Sequence, residues 1–177
     1  MKKSIFNIAS GAILFLANTT FVQAQKDKPE FNISNSKNLE QVVALSSASG
    51  AGSASSLNKR AVREFNKQFA SVSNVTWSNI MDGFLATFHQ DGSLTRAYFD
   101  RKGNPTYTVK SYDESHLDRD IRRQVKSVYF DSKITGIEEI KGGEKTVYII
   151  HLEDETTWKK IRLEDGAMEV MEDFRKG

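Results

Sequence analysis

Residues 84–104 read FLATFHQDGSLTRAYFDRKGN, and the way this stretch is parsed decides the fold. Phe84, Ala86 and Phe88 alternate with more polar neighbours, as do Ala97 and Phe99, which is the two-residue period of half-buried strands. Asp91-Gly92 between them and Gly103-Asn104 after them tolerate the positive φ of tight turns. The same stretch offers oxygen ligands at Asp91, Ser93, Asp100 and Asn104. However, the acid spacing and distal glutamate of a calcium loop are absent. Asp91 and Asp100 also flank one strand, which sets them at its two ends. The stretch therefore reads as turns around a strand, not as an ion loop.

The pattern extends both ways. Val75 and Trp77 precede the stretch, with Met81-Asp82-Gly83 as a turn, and Tyr107 and Val109 follow it at the same alternation; Trp77, in phase with Val75, is read as core. Upstream, Asn58 can cap a helix ending near Ala70, with Val62, Phe65 and Phe69 at helical spacing and Leu57 and Val62 placed as a hydrophobic staple. The plan then recurs. Ser115 with Asp118 resembles a capping box, and Leu117, Ile121, Val125 and Val128 form one apolar stripe. Strands are predicted near 134–140, 146–152, 156–163 and 167–174, separated by Gly142-Gly143, Glu153-Asp154-Glu155 and Asp165-Gly166. A shift of 64 positions lays Tyr148, Ile150 and Leu152 on Phe84, Ala86 and Phe88, and Ile161 and Leu163 on Ala97 and Phe99. This predicts an internal duplication: repeat one over 57–112 and repeat two over 113–174. The fold class is α+β, an antiparallel sheet with the helices on one face and the other face open.

Residues 1–24 combine Lys2 and Lys3, an apolar run from Ile5 to Val22 and the small-residue site Val22-Gln23-Ala24, as a secretory signal peptide does. The run is interrupted by Asn7, Ser10, Gly11 and Asn18, which suits a membrane span poorly. Residues 25–56 are polar and become rich in Ser, Gly and Ala, a composition that cannot repay ordering; they are read as a flexible linker, with a short helix around Leu39, Val42 and Val43 as the one candidate element. The folded unit is expected over 57–177. The 177 residues carry 25 basic and 23 acidic side chains and no cysteine. The leader holds two of the lysines and no acid, so the remainder balances at 23 of each. Near-neutral charge argues against nucleic acid, and a cysteine-free exported chain has neither disulfides nor a thiol nucleophile. The expected location is periplasmic or secreted, with no stable membrane span after cleavage.

Several motifs together resemble a family: Phe65 and Phe69, Val75-Thr76-Trp77, Gly83 to Phe88 with Asp91-Gly92, and Tyr98-Phe99-Asp100 with Gly103. They are similar to the PepSY-like, beta-lactamase-inhibitor-like exported proteins of Bacteroidetes, and Leu117 to Ile134, including Val128-Tyr129-Phe130-Asp131, is similar to their second repeat. The resemblance spans roughly residues 58–174 and implies tandem helix-plus-four-strand units in one curved sheet. Asp118 stands after Leu117 where many relatives have proline. Fold likeness names no ligand.

Catalytic signatures are missing. His89, His116 and His151 form no short-range metal pair, no serine sits in a nucleophile elbow or beside a suitable lysine, and Ser49-Gly50-Ala51-Gly52 lacks the context of a phosphate loop. Arg119, Arg122, Arg123 and Lys126 are interleaved with Asp118 and Asp120, as on a solvated helix face. No catalytic residue, metal site or cofactor is expected. Strand parity instead points away from the helices, to Leu85, Arg96, Tyr98, Ile149, Trp158 and Arg162 as partner-binding residues, since Tyr, Trp and Arg are enriched at binding hot spots. The same pattern also fits cross-strand packing in which arginine stems cover aromatic rings. The leading expectation is a non-enzymatic module that binds an envelope or secreted protein or peptide, as an inhibitor or an escort. The alternatives are an envelope hydrolase or ion-dependent protein using dispersed carboxylates and histidines, and a structural envelope protein without a specific ligand.

Overall fold

The computed structural model describes residues 57–177; the leader, the linker and the short helix near Leu39 lie outside the described residues. Helix α1 (Lys59–Gln68) is followed by β1 (Thr76–Ile80), β2 (Gly83–Gln90), β3 (Ser93–Asp100) and β4 (Pro105–Tyr112). A 3-10 turn (Glu114–His116) and helix α2 (Arg119–Val128) then lead into β5 (Lys133–Gly142), β6 (Lys145–Glu153), β7 (Thr157–Glu164) and β8 (Ala167–Arg175). All eight strands form one sheet in chain order, and each pair is antiparallel. The two halves join where Val109 of β4 lies opposite Ile140 of β5.

The helices start where side chains satisfy their free N–H groups. The Asn58 side chain accepts from the Arg60 N–H and donates to the Arg101 carbonyl at 3.3 Å, which ties α1 to the β3–β4 turn. A Cβ on Gly103 in that turn would lie 2.7 Å from the Ala61 nitrogen, so only glycine lets the turn approach the helix. At the second helix the sequence expectation needs correction. Asp118, not Ser115, caps α2, its carboxylate accepting from the N–H groups of Asp120 and Ile121. Ser115 belongs to the preceding 3-10 turn, which Asp113 caps. Val128, expected in the apolar stripe, is 54% exposed.

Helix α1 covers an aromatic core: Phe65 meets Phe88 edge-on at 5.2 Å and Trp77 at 5.4 Å, and Phe99, Ala86 and Ala97 complete the cluster. Helix α2 covers an aliphatic one, in which Leu117 and Val125 pack on Ile134, Ile137, Ile150, Leu152, Ile161 and Leu163. The opposite face carries no helix among the described residues. It nevertheless buries Tyr98, Tyr107, Val109, Ile140, Val147 and Ile149, with Ile80, Leu85 and Met171 packed against them. The expectation of an open face is therefore corrected. Its centre is sealed by its own side chains, which pack on one another across the neighbouring strands.

Candidate functional site

Alternation along the strands sends Leu85, Thr87 and His89 of β2, Leu94, Arg96 and Tyr98 of β3, and Tyr107, Val109 and Ser111 of β4 to the face away from the helices. Cross-strand register confirms the set: Leu85 opposes Tyr98, Tyr98 opposes Tyr107, and Arg96 opposes Val109. The second half adds Glu138, Ile149, His151, Trp158, Lys160 and Arg162 by the same pairing, Glu138 opposite Ile149 and Ile149 opposite Arg162.

The six residues expected to meet a partner fall into three groups. Tyr98 and Ile149 are buried, 2% and 0% exposed, and half-buried Leu85 packs on them. Tyr98 stacks on Tyr107 with ring centroids 4.3 Å apart. These three form a floor, not an exposed contact surface. Arg96 and Arg162 lie half-buried above that floor. The Arg96 guanidinium donates to the Ser111 hydroxyl at 3.4 Å. Arg162 forms ion pairs with Glu164 and, at 3.6 Å, with Glu169. Trp158 stands apart at the start of β7, 48% exposed and outside the apolar cluster. Its cross-strand neighbour is Phe174, 57% exposed, and the Lys176 ammonium lies 5.1 Å from the indole centroid.

Between the halves lies a shallow depression of about 320 Å³ lined by Ser111, Tyr112, Thr135, Gly136, Ile137, Glu138 and His151. It opens where β4 stops at Tyr112 while β5 continues to Lys133, and where β5 is irregular between Ile134 and Gly136. Nothing lies within 4 Å of a Cβ placed on Gly136. Sequence reasoning missed this site and also missed Phe174. A glycine inside an otherwise alternating strand was the available signal for the depression. Electrostatics on this face are set by burial. It pushes the Tyr98 hydroxyl up to about 12, with Arg96 opposing and Glu138 reinforcing. It also holds the His151 imidazole below its ordinary range, where Glu138 and Glu172 oppose and Lys160 adds to the shift.

The acids of residues 84–104 do turn work. The Asp100 carboxylate accepts from the Asn104 N–H at 2.8 Å and from the Asn104 side-chain amide at 2.7 Å, while Asp91 and Gly92 take φ of 49° and 74°. Asp113, Ser115 and His116 contact one another, but Ser115 Oγ and Asp113 Oδ1 meet the same imidazole nitrogen, Nδ1, at 3.0 and 3.2 Å. A serine triad needs the two ring nitrogens divided between acid and hydroxyl, so this group is a turn cap. On α2, Arg122 pairs with Glu114 and Arg123 with Asp120.

Eight antiparallel strands in chain order with two helices packed on them define an α+β protein whose second sheet face is left to its own side chains. Solved structures share that architecture. A DUF2874 family protein from Bacteroides ovatus matches with TM-score 0.56 at 13% identity, over 68% of this chain and 88% of its own. A BLIP-like protein from Bacteroides fragilis gives 0.56 at 13% over 69% and 89%. A protein from Bacteroides eggerthii, provisionally assigned to the periplasm, gives 0.55 at 12% over 68% and 89%. The likeness read from spaced aromatics and turns thus holds at the level of fold. No protein-family model and no curated protein matches the sequence. No helix among the described residues is long and apolar enough to cross a membrane.

Proposed function

We propose that the chain is an exported, non-enzymatic binding module of the periplasm or the medium that docks a protein or peptide on the helix-free sheet face, as an inhibitor or an escort. The observation that carries this reading is the exposed pair Trp158 and Phe174 on the helix-free face, whose centre is already packed. Exposed aromatics next to rigid, prepaid packing can bury area on binding with little ordering cost. In this reading Trp158, Arg96 and Arg162 meet the partner, while Leu85, Tyr98 and Ile149 hold the surface in shape. The BLIP-like and periplasmic descriptions of the fold neighbours are in keeping with it. The same reading takes the halves, 57–112 and 113–174, as a tandem duplication, supported by the five apolar pairs 64 positions apart that occupy matching helix-facing places.

The test is affinity capture from a cell-envelope extract with the unaltered chain, a Trp158→Ala/Phe174→Ala double variant and an Arg123→Ala variant on the exposed side of α2. The bound protein should be lost with the first variant and kept with the second. Capture that survives the aromatic double variant in a folded chain overturns the choice of face.

A further inference from the structure

On the helix-free face the cations of the second half are matched by acids. Lys160 lies 3.0 Å from Glu172, its cross-strand neighbour, Arg162 pairs with Glu164 and Glu169, and Lys176 lies 2.7 Å from Glu153. Arg96 holds, 64 positions earlier, the place that Lys160 holds in the second half. Its cross-strand neighbours are Thr87 and Val109, so the acid that would balance it is replaced by a hydroxyl and a methyl-bearing side chain. Among the described residues Arg96 forms no ion pair, and its one hydrogen bond goes to the Ser111 hydroxyl at 3.4 Å. Two residues along the same strand face, the Tyr98 hydroxyl is buried and has no hydrogen-bond partner. Ser111 also borders the depression at the join of the halves. A half-buried guanidinium held over a dry floor gains far more from a charged acceptor than one in bulk water does.

We propose that Arg96 is the anchor for a single carboxylate, an aspartate or glutamate side chain of the docked protein or peptide, whose flanking backbone lies in the depression between Ser111 and Gly136. The inference rests on the docking reading above and names the chemistry of the partner. Arg96 supplies a two-pronged donor that fits the two carboxylate oxygens, and the Ser111 hydroxyl turns to donate as a third group. Glu138, the cross-strand neighbour of Ser111, also lines the depression, so a dianion such as a phosphate group meets more repulsion there than a monoanion does.

The experiment follows the Arg96 Nε–H resonance of the full chain by NMR during titration with the peptide acetyl-Ala-Ala-Glu-Ala-Ala-amide, its Gln counterpart and its phosphoserine counterpart. The Glu peptide should give a saturable shift with at least about tenfold tighter binding than the Gln peptide, which corresponds to about 1.4 kcal/mol, and the phosphoserine peptide should bind more weakly than Glu. Arg96→Gln should abolish the difference between Glu and Gln, and Arg96→Lys should retain part of it. Equal responses to Glu and Gln on the unaltered chain overturn the carboxylate anchor without reliance on any variant. Tighter binding of phosphoserine overturns the choice of a monoanion. In the envelope capture, loss of the partner on Trp158→Ala/Phe174→Ala but not on Arg96→Gln removes the anchor and leaves the docking face standing. Indifference to both removes the docking reading itself.

Discussion

The two halves solve one packing problem with different side chains. In the first, Phe65, Phe69, Trp77, Phe88 and Phe99 interlock around α1; in the second, the positions under α2 are filled by Leu, Ile and Val. The helix-facing cores thus differ in shape but not in pattern, which shows that alternation, turn placement and one apolar helix stripe specify this architecture and leave the choice of side chain open. On the other face the halves differ in charge. The second neutralises its cations with acids, while the first leaves Arg96 unmatched. One half pairs its cations with its own acids, and the other leaves the Arg96 guanidinium without an ion pair among the described residues.

The largest way to break this comparison is to hollow the two cores. Phe88→Ala should cost about 3–5 kcal/mol and Leu152→Ala, its counterpart 64 positions on, about 2–5 kcal/mol. Because β4 and β5 are paired along five residues, each should lower a single shared transition in urea followed by fluorescence and circular dichroism. Two separated transitions would mean that the halves are independent units.

Smaller effects come from the caps. Loss of an N-cap side chain costs about 0.5–2 kcal/mol. Asn58→Ala should fall at the upper end, since Asn58 also bonds to the Arg101 carbonyl across to the β3–β4 turn, whereas Asp118→Ala should fall lower, its bonds serving only its own helix. Equal losses in denaturation midpoint would show that the tie between helix and turn contributes nothing.

The smallest effect sharpens the comparison by pH. Burial keeps His151 below its ordinary range, while the residue 64 positions earlier, Thr87, cannot titrate. As pH falls through about 6.5 the unfolded chain takes up this proton before the folded one. The contribution is therefore fully present above that pH and is lost between it and the lower folded value. His151→Gln should flatten stability between about pH 7 and 5. The decline in more acid solution persists, because Asp154 is held well below the usual carboxylate range by bonds from Thr157 and Thr156. An unchanged slope near pH 6 would show that His151 is solvated.

Much of this fold was legible in the sequence because its signals are local. The Asp91-Gly92 and Asp165-Gly166 turns and the alternating apolar pairs each act within a few residues; they marked every strand of the first half and placed the ends of those in the second to within two residues. The start of α2 was read wrongly because Ser115, Asp118 and Asp113 all resemble caps, and only the path of the chain after β4 decides among them. The site was half legible. Parity gave the correct face for Arg96, Tyr98, Ile149, Trp158 and Arg162. It could not tell that Tyr98 and Ile149 are sealed, because burial on a single-layered face depends on how neighbouring strands lean. The depression depends on where β4 stops and how β5 bends, for which Gly136 inside an otherwise alternating strand was the one local trace, and Phe174 stands out only through its pairing with Trp158.

Strand order that follows chain order has a consequence for how the molecule assembles. Every pairing but one joins segments separated by a turn of a few residues, so those loops close at little entropic expense and should form early. The exception is β4 with β5, which must wait for the 3-10 turn and α2 between them to be gathered in. That closure is the rate-setting step the topology implies, and it is also the step that creates the depression beside Ser111. Until it occurs, the depression has no second wall.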